Sequence, residues 1–139
     1  MMPSMAVAPT KTNFIIINTQ YMATRSTISI ETSKGIRSVY CHYDGYLGHN
    51  GKLLKENYNT EEKVNALIDL GDLSQLGESL ESTVAYHRDR KESLHINECS
   101  SLESLDGQDY NYLFRNGEWV YWRDSFKDAV EYEVPENEL

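Results

Sequence analysis

Long apolar runs, paired cysteines and basic residues are what this chain has least of. No stretch approaches the roughly 20 apolar residues that a membrane-crossing helix needs. The run Phe14 to Ile17 is too short for the apolar part of a signal peptide, and no good cleavage site follows it. With only Cys41 and Cys99 in 139 residues, a disulfide framework is excluded. Two cysteines suit a reducing compartment and leave open a single bridge between them. No C-x₂-C or similar paired spacing occurs, so neither a structural zinc site nor another cofactor is expected. Lys and Arg number 13 against 22 Asp and Glu, a net charge of −9. Such a surface repels phosphate backbones at long range, which disfavours duplex DNA or RNA as a bulk partner. It remains compatible with a small nucleotide held by a few local arginines. It equally suits an acidic surface pressed against a basic site on another protein.

The length is that of one domain, large enough for a modest core without staples. Ten tyrosines and an aromatic content of 11% mark a globular composition. The charge is unevenly spread. Residues 1–21 carry only Lys11, while residues 128–139 carry five acids and no base. Residues 1–21 read as an extension outside the core fold, because "MATRSTISI" from Met22 resembles a second, more natural start. Within that lead, "FIIINTQY" has the β-branched, uncharged character of an edge strand. Residues 22–127 read as the domain, and 128–139 as an acidic, solvated tail.

Along the domain, "RSTISIE" and "IRSVYCH" alternate as two strands of a hairpin around "TSKG". "GKLLKENY" reads as a helix. Thr60 caps a second, "EEKVNALIDL", with Val64, Leu67 and Ile68 as its apolar stripe and Gly71 as its stop. "DLSQLG" reads as a further helical turn with Asp72 or Ser74 capping it, and "STVAYHRDR" as a strand. A short strand and then a helix through "SLESL" are expected between Lys91 and Gln108. Asn116-Gly117 is the dipeptide of a type I′ hairpin turn. It pairs Arg115 with Glu118, Phe114 with Trp119 and Tyr112 with Tyr121. The face Tyr110, Tyr112, Phe114, Trp119, Tyr121 is expected to be core rather than a base-stacking platform. The sum is an α+β fold: a mostly antiparallel sheet of about five strands, with two or three helices packed on one face.

Taken together, "ATRSTISIE", "VYCHYDGYLGHNGKLLKENY", "LIDLGDLSQLG", "VAYHRDR" and "YNYLF" resemble a family of small uncharacterised proteins of tailed bacteriophages and prophages. The resemblance spans about residues 22–122 and rests chiefly on "YCH-x-DGY", "LGDLS-x-LG" and "AYHRDR". Lys91 departs from it, standing where a glycine is expected. The resemblance implies a phage accessory protein acting in the cytoplasm of a bacterial host, a class rich in inhibitors of host processes. It transfers no catalytic residues.

The chemistry-bearing residues concentrate in two segments, 40–49 and 86–90. Tyr40, His42, Tyr43, Tyr46 and His49, with Tyr86, Arg88 and Arg90, combine flat ring faces, hydroxyl handles and guanidinium forks. These suit a small phosphorylated aromatic ligand, such as a nucleotide, and no enzymatic step is needed. The rival catalytic reading assembles His42, Asp44, His87 and Asp89 into a hydrolytic cluster, provided strands 36–42 and 83–89 are neighbours. Cys41 beside His42 makes a poor dyad, since adjacent strand residues point to opposite faces. A third reading places tyrosine, tryptophan and arginine at an interface with a host protein, and an open sheet edge leaves self-association available.

Overall fold

Hairpin chemistry at both ends of the domain dictates the frame. In the computed structural model, residues 23–125 and 132–135 are described; the expected strand at 14–21 lies outside them. β1 (Ser26–Thr32) and β2 (Gly35–Cys41) pair antiparallel across the predicted turn, with Ile28 opposite Val39. β6 (Tyr110–Arg115) and β7 (Glu118–Arg123) form the second hairpin. Asn116 and Gly117 have φ of 53° and 80°, the left-handed pair that a type I′ turn requires. Arg115–Glu118, Phe114–Trp119 and Tyr112–Tyr121 are opposite one another, the register expected from the sequence.

The α+β class holds, but the sheet is larger than expected and mixed rather than mostly antiparallel. It has eight strands among the described residues. β6 docks parallel to β1, joining the two hairpins through the middle of the sheet. β3 (Leu73–Gln75) runs parallel to β2 at Cys41 and is followed by β4 (Val84–Ala85). β5 (Asn97–Cys99) pairs antiparallel with the other half of β2's outer edge. Thus "DLSQLG" holds a strand, Leu73–Gln75, not a helical turn: Asp72 precedes that strand and Ser74 lies in it, so neither caps a helix. Within the acidic segment 128–139, β8 (Tyr132–Glu133) adds to β7 and Val134 is buried. Tyr132 to Val134 thus join the sheet and its core.

The second large departure is "STVAYHRDR". Only Val84–Ala85 is strand; α3 (Tyr86–Arg90) is one helical turn. The Asp89 carboxylate reaches back to accept the Ala85 N–H at 2.8 Å, and that local bond turns the chain out of extended geometry. Alternation therefore does not place Tyr86 and Arg88 on one face. Lys91 closes α3 with φ of 57°, a left-handed position suited to glycine. Lys91→Gly is expected to stabilise the domain by about 0.5–1 kcal/mol, read as a higher urea midpoint with unchanged slope.

α1 (Lys52–Asn57) and α2 (Glu61–Ile68) cover one face of the sheet. Thr60 accepts the Lys63 N–H at 3.2 Å as the predicted cap. Val64, Leu67 and Ile68 pack with Ile28, Ile30, Val39, Cys41, Tyr112, Phe114 and Trp119 in the main core. The predicted aromatic face is thus core at Tyr112, Phe114 and Trp119, with Tyr110 and Tyr121 half-buried at its border. The opposite face carries a smaller cluster of Ile36, Leu113, Val120 and Trp122 under Leu105. Beside it lie buried polar pairs, Thr27–Asn111 at 3.0 Å and Ser29–Ser38 at 2.7 Å. Tyr40 and His42 project on this second face, away from Val39 and Cys41, as strand alternation requires.

Candidate functional site

The loop that leaves β2 is held by buried hydrogen bonds. His42 and Tyr43 donate backbone N–H groups to Leu73 and Ser74 carbonyls, each at 3.0 Å, extending the parallel ladder past Cys41. Asp44 then takes φ of 59° and turns the chain. Gly45 N–H donates to the Thr24 carbonyl at 2.8 Å, and the Gly45 carbonyl accepts the Tyr112 hydroxyl at 2.7 Å. A single π-helical turn, Leu47–Gly51, leads into α1. Its buried Asn50 donates its amide to Ser26 Oγ at 3.0 Å and approaches Cys41 Sγ at 3.4 Å. Burial pushes the Cys41 thiol up to about 11, so this sulfur stays a protonated core group. On this fixed loop Tyr43 and Tyr46 remain 46% and 44% exposed.

Three rings meet at the adjoining corner. Tyr40 Oη lies 2.6 Å from His42 Nδ1, and the His42 ring meets the Tyr43 ring edge-on at 4.5 Å. Arg25 stands just before β1, one position beyond the Ser26–Cys41 pair of the register. Burial raises the Tyr40 hydroxyl above the ordinary phenol value, and Arg25 partly offsets it. Burial first, and then the Arg25 charge, lowers His42 below the usual imidazole value, which favours the neutral ring. Asp72 supports the corner from below: its carboxylate accepts the Tyr40 N–H at 2.9 Å and faces His95 Nδ1 at 2.9 Å. Its carbonyl accepts the Tyr86 N–H at 3.1 Å.

The sequence-derived residues therefore divide. Tyr40, His42 and Tyr43 gather at this corner, and Tyr86 is tied to it only through its backbone bond to Asp72. Tyr46 and His49 form a neighbouring pair with ring centroids 6.2 Å apart, and His49 Nδ1 lies 2.9 Å from the Asn50 amide oxygen. Arg90 lies over the Tyr86 ring at 5.4 Å. Arg88 turns inward to its own chain: it donates to the Leu80 carbonyl at 3.0 Å, to the Thr83 carbonyl, and bidentately to Asp89 at 2.9 Å. Its role is to tie the 79–83 turn to α3. Hydrogen bonds from Arg88 and then from the Ala85 N–H hold Asp89 below the usual carboxylate range. His87 Nδ1 lies 2.8 Å from the Glu92 carbonyl.

The catalytic reading required strands 36–42 and 83–89 to be neighbours. Instead β3 lies between β2 and β4, and residues 86–90 are helical. Two supports escaped the sequence reading. Arg25 carries a weak signal, since it alternates with Thr27, the register partner of Tyr40. Asp72 had none once its segment was read as a helical turn.

Among the described residues, no three His, Cys, Asp or Glu side chains converge as a metal site would require. Cys41 and Cys99 are both free thiols. Shallow grooves of about 530 to 700 Å³ occur on other surfaces. One of about 700 Å³ lies between the β1–β2 turn, α2 and β5, and one beside the π-helical turn includes His49. Compared with family models, curated proteins and solved structures, the chain shows no match.

Proposed function

We propose that this chain is a phage-type accessory protein that acts by binding, occupying a host protein through the surface built on Tyr43 and Tyr46. One observation carries the reading: two half-exposed tyrosines stand on a loop whose backbone is locked by Gly45, Asn50 and Tyr112. Exposed aromatics on a rigid support lose little entropy on binding, which is the character of an interface hot spot. His42 beside Tyr43 adds a polar ring, and the acidic remainder of the surface steers a basic partner. The setting would be the cytoplasm of a bacterial host.

A second reading, retention of a small nucleotide-like ligand, is favoured by the His42 imidazole edge-on to the half-exposed Tyr43 ring. Turnover is disfavoured because Asp89 and His87 are committed to local bonds.

The test uses the full chain as bait for bacterial lysate, then measures affinity for the recovered protein. Tyr43→Ala with Tyr46→Ala is expected to weaken that affinity at least about tenfold with no change in melting temperature. Unchanged affinity would remove this surface from the interface. Release of intact nucleotide on denaturation would favour the second reading, and product formed at substoichiometric protein would favour hydrolysis.

A further inference from the structure

We propose that the seam at the hairpin-turn end of the sheet is a docking channel for an extended, arginine- or lysine-bearing segment of another protein. It lies at the Thr32–Gly35 end of β1 and β2, opposite the Ser26–Cys41 end that carries the Tyr43 loop, and binding there does not depend on that loop.

Three shallow grooves of about 570 to 700 Å³ follow one another round this end of the domain. The groove between α1, the β6–β7 turn and β8 shares Asn59, Phe114 and Gly117 with the next. That one shares Thr32, Ser33 and Glu61 with the groove beside β5. The result is one continuous, shallow trough, which suits an extended polypeptide better than a small ligand that needs enclosure. Its walls are already set. The type I′ turn at Asn116-Gly117, the Thr60 cap and the Trp119 bond to the Tyr58 carbonyl hold both sides in place. Docking therefore demands little ordering of the protein.

Charge selects the occupant. Glu56, Glu118 and Glu133 line the groove beside β8, all exposed and with no ion pair among the described residues. Lys55 lines the same groove, and its ammonium donates to the Val134 carbonyl at 3.1 Å. Three carboxylates thus face one ammonium that already has a partner. Farther along, Arg37 is held by Asn65 at 2.9 Å and Asp69 at 2.6 Å, and Arg115 faces Glu31 at 3.9 Å. Lys34 stands at the opposite end of the trough without an ion pair among the described residues. A segment whose cations lie beside β8 matches this distribution, whereas the reverse placement sets them against Lys34. Phe114 and Trp119 lie at the floor beside β8, where the methylene stem of an arginine or lysine packs while its head reaches the carboxylates.

The test is fluorescence anisotropy of a labelled Ala-Arg-Ala-Arg-Ala-Arg-Ala peptide with the full chain. The comparison peptide carries citrulline, an uncharged isostere, in place of each arginine. The arginine peptide is expected to bind saturably, and the citrulline peptide at least about tenfold more weakly. Glu56→Gln, Glu118→Gln and Glu133→Gln together should weaken the arginine peptide about tenfold, as three exposed charge contacts allow. Glu81→Gln, Glu92→Gln and Glu103→Gln remove the same charge from positions outside the trough and should cost less than about threefold. Amide NMR of the wild type locates the peptide independently of any variant, with saturable shifts expected at Asn59, Asn116 and Gly117.

Equal losses in the two triple variants would overturn the proposal, because they would mean general attraction to an acidic chain. An arginine peptide that does not saturate at millimolar concentration would overturn it too. Shifts centred on Tyr43 and Tyr46 would remove the channel and assign the peptide to the tyrosine surface instead.

Discussion

Replacing Trp119 by alanine is expected to cost about 3–5 kcal/mol, enough to leave a domain of ordinary stability close to its unfolding midpoint. Trp119 is only 2% exposed, and it holds two layers together. Its ring packs against Phe114 across the type I′ hairpin, with centroids 5.2 Å apart. Its indole N–H donates at 2.8 Å to the carbonyl of Tyr58, the residue that closes α1. Alanine removes the packing, opens a cavity and leaves that buried carbonyl without its donor. Urea unfolding followed by far-ultraviolet circular dichroism measures the loss. Trp119→Phe separates the contributions, because it keeps most of the buried area and forfeits only the hydrogen bond, a cost of about 1–3 kcal/mol. A midpoint for Trp119→Ala within error of the wild type would show that the helical layer is not anchored there.

Gly45→Ala is the second large effect, at about 3 kcal/mol, and it acts on the candidate site itself. Glycine is needed here for space, not for backbone freedom. A Cβ at this position would lie 2.7 Å from Ser26 Cβ and 2.9 Å from the Arg25 carbonyl carbon and Thr24 carbonyl oxygen. Two of those three atoms are backbone at the start of the central strand β1 and cannot rotate away. The loop must move outward, breaking the Gly45–Thr24 and Tyr112–Gly45 bonds that seat it. His42, Tyr43 and Tyr46 would then lose their fixed relation to Arg25. Expected results are a lower urea midpoint and loss of whatever binding the tyrosine surface supports. Retention of both would mean that the loop accommodates the methyl group without leaving its seat.

Much of the frame was legible because it is local. Alternation in 26–41 assigned Val39 and Cys41 to the core and Tyr40 and His42 to the other face. Asn116-Gly117 set the second hairpin to the residue, since a two-residue turn leaves no other register. Thr60, Glu61 and Glu62 marked the start of α2 for reasons confined to its first turn.

The misreadings share another cause. In "STVAYHRDR" the alternation is genuine, but a side chain four residues on offers the backbone a competing bond, so Asp89 bends the segment into α3. "DLSQLG" has too few residues for any period to decide it. It is a strand because β2 has an unpaired edge at Cys41 for it to meet. Lys91 takes the left-handed position that closes α3, which lysine adopts at a conformational cost.

The candidate site shows the same division. "SVYCHYDGYLGHNG" announced a strand entering a turn and a helix, and it named the rings and imidazoles that the turn displays. It contained no sign that the Tyr40 hydroxyl would meet His42 Nδ1, or that Asn50 would bind Ser26 and Tyr112 the Gly45 carbonyl to brace the loop. By itself the sequence determined the two hairpins, the capped helix, the identity of the core face and the acidic balance of the surface. Each follows from residues within a few positions of one another, or from composition. Only the tertiary structure decided the parallel docking of β6 on β1, the strand at 73–75, and the separation of Arg88 from the Tyr40 corner. Those outcomes depend on which unpaired edges and donors meet across separations of 32 to 84 residues, and spacing along the chain carries no record of that.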